Sequence, residues 1–151
     1  MTINTERQGH RYPPAQPYQV SREAIREFAR AVKAEHPAHT DPAAAEALGH
    51  ADLIAPPSFA VVAAQRAEAA VINDEEAGID FSRVVHADER FIHHAPITAG
   101  DTLHAQTTLE RIRVMGAGAM VTTRTEITND DGAARATVTS SLLVRAEGEE
   151  A

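Results

Sequence analysis

The chain has 151 residues, of which 43% are apolar, so it is long enough for one ordinary globular domain. It has no cysteine, which excludes disulfide frameworks, thiolate zinc sites and a cysteine nucleophile. The 14 basic residues against 22 acidic ones give a net charge of −8, and aromatic residues make up only 4%. These values argue against a nucleic-acid partner, which would require a basic face or stacking platforms.

No apolar run approaches the length of about 18 residues that spans a bilayer, and residues 1–9 contain no signal-peptide core. We therefore expect no membrane partner and a cytoplasmic location. Prolines make residues 1–16 irregular, and residues 18–20 can form a short strand. Ser21 is a predicted N-cap of a helix that runs to about Ala34.

Two further helices are predicted in the first half. Asp41 followed by Pro42 is a typical helix start, and this short helix should end near Leu48. An alanine-rich helix should follow the proline pair Pro56-Pro57 and run to about Ile72, with Phe59, Val62 and Ala63 on one face. Its small side chains favour close packing against a sheet.

The second half alternates between apolar and polar residues, which is typical of strands. The predicted strands cover residues 84–91, 102–113, 119–128 and 133–145, with a hairpin turn at 129–132. We expect residues 146–151 to form a disordered tail. The order of elements predicts one α+β domain over 1–151, with an antiparallel sheet packed against a central helix.

His36, His39 and Asp41 form the cluster whose side chains are best suited to catalysis or metal binding. A metal site would need three or four converging ligands, and His93 and His94 should point to opposite sides of an extended chain, so we expect no metal. General acid–base catalysis by His39 is a second hypothesis, because histidine titrates near neutral pH. The simpler interpretation is local capping by the histidine, with Asp41 as an N-cap.

The combined pattern resembles the MaoC-like branch of the hot-dog fold, from about Tyr18 to Arg145. The segments that carry the resemblance are Tyr18 to Ile25, the loop His36 to Asp41, Gly49 with Ala55 to Phe59, and Pro96 to Leu103. Within that branch the chain resembles the non-catalytic A-type subunit of actinobacterial (3R)-hydroxyacyl-ACP dehydratases and the N-terminal half of FAS1-like dehydratases. The resemblance implies a curved antiparallel sheet wrapped around a long central helix, a dimer, and no cofactor.

The resemblance also implies a reaction, the reversible removal of water from a (3R)-3-hydroxyacyl thioester. Active members carry an Asp-x-Asn-Pro-x-His motif. Pro37 and His39 match its proline and histidine, whereas Ala34 replaces the aspartate and His36 replaces the asparagine. Alanine cannot transfer a proton, so the catalytic pair is incomplete.

A second departure lies before the central helix, where active members need free N–H groups. Pro56 and Pro57 occupy this place and proline has no N–H. Both departures fit a subunit that holds the acyl chain for a catalytic MaoC-like partner. On this hypothesis the substrate, an acyl thioester of ACP or CoA, contacts Pro56, Pro57, Phe59, Val62 and Ala63, although Phe59, Val62 and Ala63 are also candidates for plain core.

Two alternatives remain at this stage. The chain could be an independent homodimeric hydratase or thioesterase that uses His39 with another acid, Glu35 or Asp41. It could also be an acyl-binding scaffold without an enzymatic role. An acidic carrier protein would meet basic residues at the entrance, for which the candidates are Arg66, Arg83, Arg90, Arg111 and Arg113.

Overall fold

Five strands form one curled antiparallel sheet in the order β1-β3-β4-β5-β2. The computed structural model of the chain describes residues 2–145, so the tail at 146–151 lies outside the described residues. The strands are β1 (Tyr18–Gln19), β2 (Val84–His93), β3 (Thr102–Met115), β4 (Gly118–Thr128) and β5 (Ala134–Val144). Their bounds agree closely with the predicted strands.

Three α-helices accompany the sheet: α1 (Arg22–Ala31), α2 (Pro42–Ala47) and α3 (Ala60–Ile72). A 3-10 turn at Pro57–Phe59 leads directly into α3, so the central helical segment has 16 residues. No helix among residues 2–145 is both long and apolar enough to cross a membrane.

The main core lies between α3 and the concave face of the sheet. Ala60, Ala63, Ala64 and Ala67 on α3 are at most 2% exposed. They pack with apolar side chains of β3, β4 and β5, namely Leu103, Ala105, Ile127, Ala136 and Val138. Because alanine carries only a methyl group, the helix can approach the sheet closely. This is the predicted α+β hot-dog architecture, and the prediction is confirmed.

The predicted N-caps are confirmed, but α1 ends three residues earlier than predicted. The Ser21 hydroxyl accepts a hydrogen bond from the Ala24 N–H at 3.0 Å. Lys33 adopts a left-handed conformation (φ 58°), and the Ala34 N–H donates back to the Ala29 carbonyl at 2.8 Å. This closing turn ends α1 before Ala34 and directs the chain into the loop that contains His39.

The N-terminal segment lacks long regular elements, as predicted, but it is hydrogen-bonded along β3. The N–H groups of Gly9, Tyr12 and Ala15 donate to carbonyls of β3 at 2.7 to 2.9 Å. The segment therefore covers the edge of β3 that β1 leaves unpaired. Prolines prevent a regular strand here, yet the backbone N–H groups of the segment still donate hydrogen bonds to the carbonyls of alternate β3 residues.

The opposite edge of the sheet is formed by β2, which pairs with β5 and with no other strand among residues 2–145. Most of its side chains are exposed, including the apolar Val85 (46%) and Ile92 (50%). A ten-residue edge strand with exposed apolar side chains favours pairing with another chain.

Candidate functional site

A cavity of about 660 Å³ lies where the His39 loop meets the approach to α3 and the connection between β2 and β3. That volume falls in the range of small-molecule sites. Eight apolar residues and four histidines line it: His36, His39, Leu48, Ile54, Ala55, Pro56, Pro57, His93, His94, Ala95, Pro96 and Ile97. An apolar chain with few polar groups would match this lining.

His39 lies at the end of a 3-10 turn, Pro37–His39, and is only 9% exposed. Its Nδ1 is 2.7 Å from the carbonyl oxygen of Ile54. A carbonyl can only accept, so Nδ1 must carry the proton. In the neutral ring Nε2 then keeps the lone pair, which is the form required of a general base.

The backbone around Ile54 is fixed from two sides. The Ile54 N–H donates to the Ala38 carbonyl at 3.1 Å, and the Ala55 N–H donates to the Ile97 carbonyl at 2.8 Å. The Ala99 N–H donates to the Leu53 carbonyl at 2.8 Å. These bonds hold three separate parts of the chain together and so define the wall of the cavity.

An ion pair fastens the same segment to α1. The guanidinium of Arg22 binds the Asp52 carboxylate at 2.8 to 3.0 Å through two of its nitrogens. This hydrogen bonding, together with the Leu53 N–H, holds the pKa of Asp52 below its ordinary value. The carboxylate therefore stays ionised while it anchors the chain beside the cavity.

The capping interpretation is confirmed for Asp41 but not for His39, whose ring bonds the Ile54 carbonyl 15 residues away while His36 supplies the local cap. The His36 Nδ1 accepts a hydrogen bond from the Ala38 N–H at 3.1 Å and so caps the 3-10 turn. The Asp41 carboxylate accepts from the Ala43 N–H at 3.0 Å and caps α2. His36 thus performs the local role that an asparagine can perform at the same place.

No carboxylate accompanies His39 in the cavity. Ala34 is half-buried, Glu35 is exposed, and neither Glu35 nor Asp41 is among the residues that line it. Among residues 2–145 no aspartate or glutamate lines this cavity. No group of three or more potential metal ligands converges within that range either.

The predicted substrate-binding residues divide into two groups. Pro56 and Pro57 line the cavity. Phe59 and Ala63 are 1% and 2% exposed and belong to the core, and Val62 packs against it while only partly buried. None of these last three is among the cavity-lining residues.

The expectation that His93 and His94 cannot share a site is wrong. Both line the cavity, because β2 ends at His93 and strict alternation no longer applies. The N–H groups of His94 and Ala95 both point to the carbonyl of Arg135, at 2.9 and 3.3 Å, which turns the chain.

The arginines suggested for a carrier-protein entrance lie outside the cavity lining. Arg66 instead lies over the ring of Tyr18, at 4.7 Å from its centroid. Arg83 donates a hydrogen bond to the backbone carbonyl of Arg145, at the far end of β5. The cavity is therefore lined by histidines and apolar groups rather than by arginines.

Comparison with known proteins places these features in a family. The family described as the FAS1-like dehydratase domain region matches residues 7–138. A UPF0336 protein of Clavibacter michiganensis is 44% identical over 147 residues, covering 97% of this chain and 99% of the relative. A UPF0336 protein of Streptomyces avermitilis is 42% identical over 149 residues, covering 99% of each.

Solved structures agree with the fold. A MaoC-like dehydratase shares 32% identity with a TM-score of 0.85 over 93% of this chain, which spans only 43% of that longer protein. The HadBC (3R-hydroxyacyl-ACP dehydratase) complex of Mycobacterium tuberculosis shares 34% identity with a TM-score of 0.78, covering 95% of this chain and 99% of the matched one. With its MaoC-like hot-dog fold, the chain belongs to the FAS1-like dehydratase family.

Proposed function

We propose that this chain is the substrate-holding subunit of a (3R)-3-hydroxyacyl thioester dehydratase, with the catalytic pair supplied by a second hot-dog subunit. The observation that carries the proposal is a large apolar cavity that contains a buried histidine but no carboxylate. Dehydration needs one group to remove the α-proton and one to protonate the leaving hydroxyl. His39 alone cannot supply both.

Two further features support a partnered, non-catalytic role. Pro56 and Pro57 border the cavity without any N–H to polarise a thioester carbonyl. The edge of β2 offers ten residues of backbone for pairing with another sheet. The HadBC relative is itself a complex of subunits.

The experiment is an enoyl-thioester hydration assay with crotonyl-CoA and longer trans-2-enoyl-CoA substrates. We expect background rates from the pure chain, and turnover of the longer substrates when it is co-expressed with a catalytic MaoC-like subunit. Ala95→Phe, which narrows the cavity, should lower the rate of the mixture on long chains more than on crotonyl-CoA. Ala117→Phe, at an exposed turn outside this cavity, serves as the matched control.

A second candidate function is favoured by the tautomer of His39. Its lone pair on Nε2 would suit an independent homodimeric hydratase or thioesterase. Turnover by the pure chain that disappears in His39→Asn would establish that function and overturn the holding role. Binding of acyl thioesters without any effect on a catalytic partner would instead indicate a scaffold.

A further inference from the structure

A chain of hydrogen bonds leads from the sheet to the cavity through His94. The His94 Nε2 is 3.0 Å from the Thr137 hydroxyl, and that hydroxyl is 3.0 Å from a carboxylate oxygen of Glu126. Thr137 on β5 lies directly opposite Glu126 on β4 in the sheet register, and Thr137 is 9% exposed. The two strands therefore hold the chain of groups in place.

The direction of the protons along this chain follows from the groups themselves. A carboxylate can only accept, so the Thr137 hydroxyl donates its proton to Glu126. The hydroxyl oxygen must then accept from His94, which places a proton on Nε2. In the neutral ring the lone pair is left on Nδ1.

His39, on another part of the cavity wall, has the opposite tautomer. His39 carries its proton on Nδ1, because that nitrogen bonds the Ile54 carbonyl, and it keeps the lone pair on Nε2. Both His39 and His94 line the same cavity, whose other walls are mainly apolar. Two imidazoles with hydrogen-bond-accepting nitrogens therefore belong to one apolar site.

Such a site selects a ligand by chemical class. An acceptor nitrogen in an apolar wall favours a ligand that donates, such as a hydroxyl on an acyl chain. A saturated or unsaturated chain has no donor to offer, so the acceptor nitrogen of the exposed His94 bonds only water. The arrangement thus separates hydroxyacyl chains from acyl chains that lack the hydroxyl.

We propose that His94 is a specificity-determining residue that accepts a hydrogen bond from the hydroxyl of the bound 3-hydroxyacyl chain, with Thr137 and Glu126 as the positioning residues that fix its tautomer. The inference rests on the proposed function, because it assumes that acyl thioesters occupy the cavity. It adds a recognition element outside the His39 loop.

The test compares the affinity of two pantetheine thioesters of equal chain length, one 3-hydroxyacyl and one saturated, by titration calorimetry. We expect the hydroxyl to tighten binding about fivefold in the natural chain, as one hydrogen bond in a partly wet site can. His94→Phe and Thr137→Val should abolish this preference, so that the two thioesters bind with about equal affinity. Thr137→Ser should keep the preference, because its hydroxyl can still link His94 to Glu126.

Imidazole nitrogen-15 NMR reports the tautomer of His94, which the variants would leave unchanged if Thr137 had only a structural role. The His94 signal should report the proton on Nε2 in the natural chain and a mixture of tautomers in Thr137→Val. Glu126→Ala, at an exposed position, should shift the tautomer in the same direction. This variant provides the test if the buried Thr137→Val variant fails to fold.

The outcomes separate the inference from the proposed function. Equal affinity for the two thioesters, or a preference unchanged in Thr137→Val and Glu126→Ala, would overturn the role of His94 and leave the holding role intact. Failure of the natural chain to bind either thioester would overturn both.

Discussion

One hydrogen bond both holds the His39 loop in place and fixes the tautomer of its imidazole ring. The contact between Nδ1 and the Ile54 carbonyl joins the loop before α2 to the wall of the cavity, and it also decides which nitrogen keeps the lone pair. Variants that remove the whole ring cannot separate these roles. A side chain that keeps only the donor can.

We predict that His39→Ala lowers the free energy of unfolding by about 1–3 kcal/mol, because the buried Ile54 carbonyl loses its donor. His39→Asn should cost less than about 1 kcal/mol, since the asparagine amide can place its nitrogen near the position of Nδ1 while lacking Nε2. Urea denaturation followed by circular dichroism measures both. Equal losses for the two variants would show that the Ile54 bond contributes little to stability.

Local side-chain roles could be predicted from the sequence, and long-range ones could not. Ser21 and Asp41 cap the helices that follow them within three residues, so their types and positions sufficed. The partners of His39 and His94 are 15 and 43 residues away and depend on strand register and loop path. Neither can be derived from composition or periodicity.

At the scale of elements, α3 and β2 bring two carboxyl groups towards each other. Glu68 of α3 is 7% exposed and accepts a hydrogen bond from the Thr123 hydroxyl at 2.7 Å. Glu89 of β2 accepts one from the Ser140 hydroxyl at 2.9 Å. Burial raises the pKa of Glu89, the Ser140 bond opposes the rise, and the charge of Glu68 adds to it.

We predict that Glu89→Gln stabilises the protein at pH 7.5 by up to about 1 kcal/mol, a value limited by partial exposure to solvent. A group whose pKa is higher in the folded than in the unfolded state stabilises the folded protein fully below the unfolded-state pKa. This stabilisation is lost as pH rises through the folded-state pKa. The gain should therefore shrink at pH 4.5. Urea denaturation at both pH values measures it, with the exposed Glu27→Gln as control. A gain of the same size at both pH values would contradict the assignment.

Element bounds were predicted best where alternation and turn residues coincide. The hairpin at Asn129 to Gly132 joins β4 and β5 where the sequence places it. The end of α1 was missed because a lysine, Lys33, takes the left-handed conformation that usually signals glycine. The path of the N-terminal segment was missed because its backbone bonds follow from where β3 lies.

At the scale of the whole molecule, Asp74 ties the N-terminal segment to the end of α3. Its carboxylate accepts hydrogen bonds from the Tyr12 hydroxyl at 2.7 Å and from the Arg7 guanidinium at 2.6 Å. Burial pushes the pKa of Asp74 upward, but these bonds outweigh it and the net shift is downward. Burial and the bond to Asp74 raise the pKa of Tyr12, so this hydroxyl stays protonated.

We predict that Asp74→Asn lowers the Tm by roughly 3 °C at pH 7. A carboxyl group with a depressed folded-state pKa stabilises the protein above its unfolded pKa, and that stability is lost as pH falls through the folded pKa. The difference between the variant and the natural chain should therefore narrow below about pH 4. Thermal melts from pH 3 to pH 8 test this. A constant difference across that range would rule out an ionised Asp74 as the source.

The proposed holding role requires a surface through which a catalytic subunit can join this chain. The N-terminal segment covers the β3 edge beyond the two-residue strand β1, so β2 is the long sheet edge left open among residues 2–145. Val85 and Ile92 lie on it with about half of each side chain exposed. Chain pairing would cover apolar surface and satisfy backbone groups at once.

We predict that this chain forms a dimer through β2, that Val85→Lys combined with Ile92→Lys makes it a monomer in sedimentation velocity, and that the same double substitution abolishes co-purification with a catalytic MaoC-like subunit. Introduced charges on an edge strand oppose pairing because both lysines would lose water in the interface. Val114→Lys, equally exposed at 55% on β3, should leave both properties unchanged. Co-purification that survives the double substitution would place the interface elsewhere, and a catalytic subunit could then not reach the His39 cavity by extending the sheet at β2.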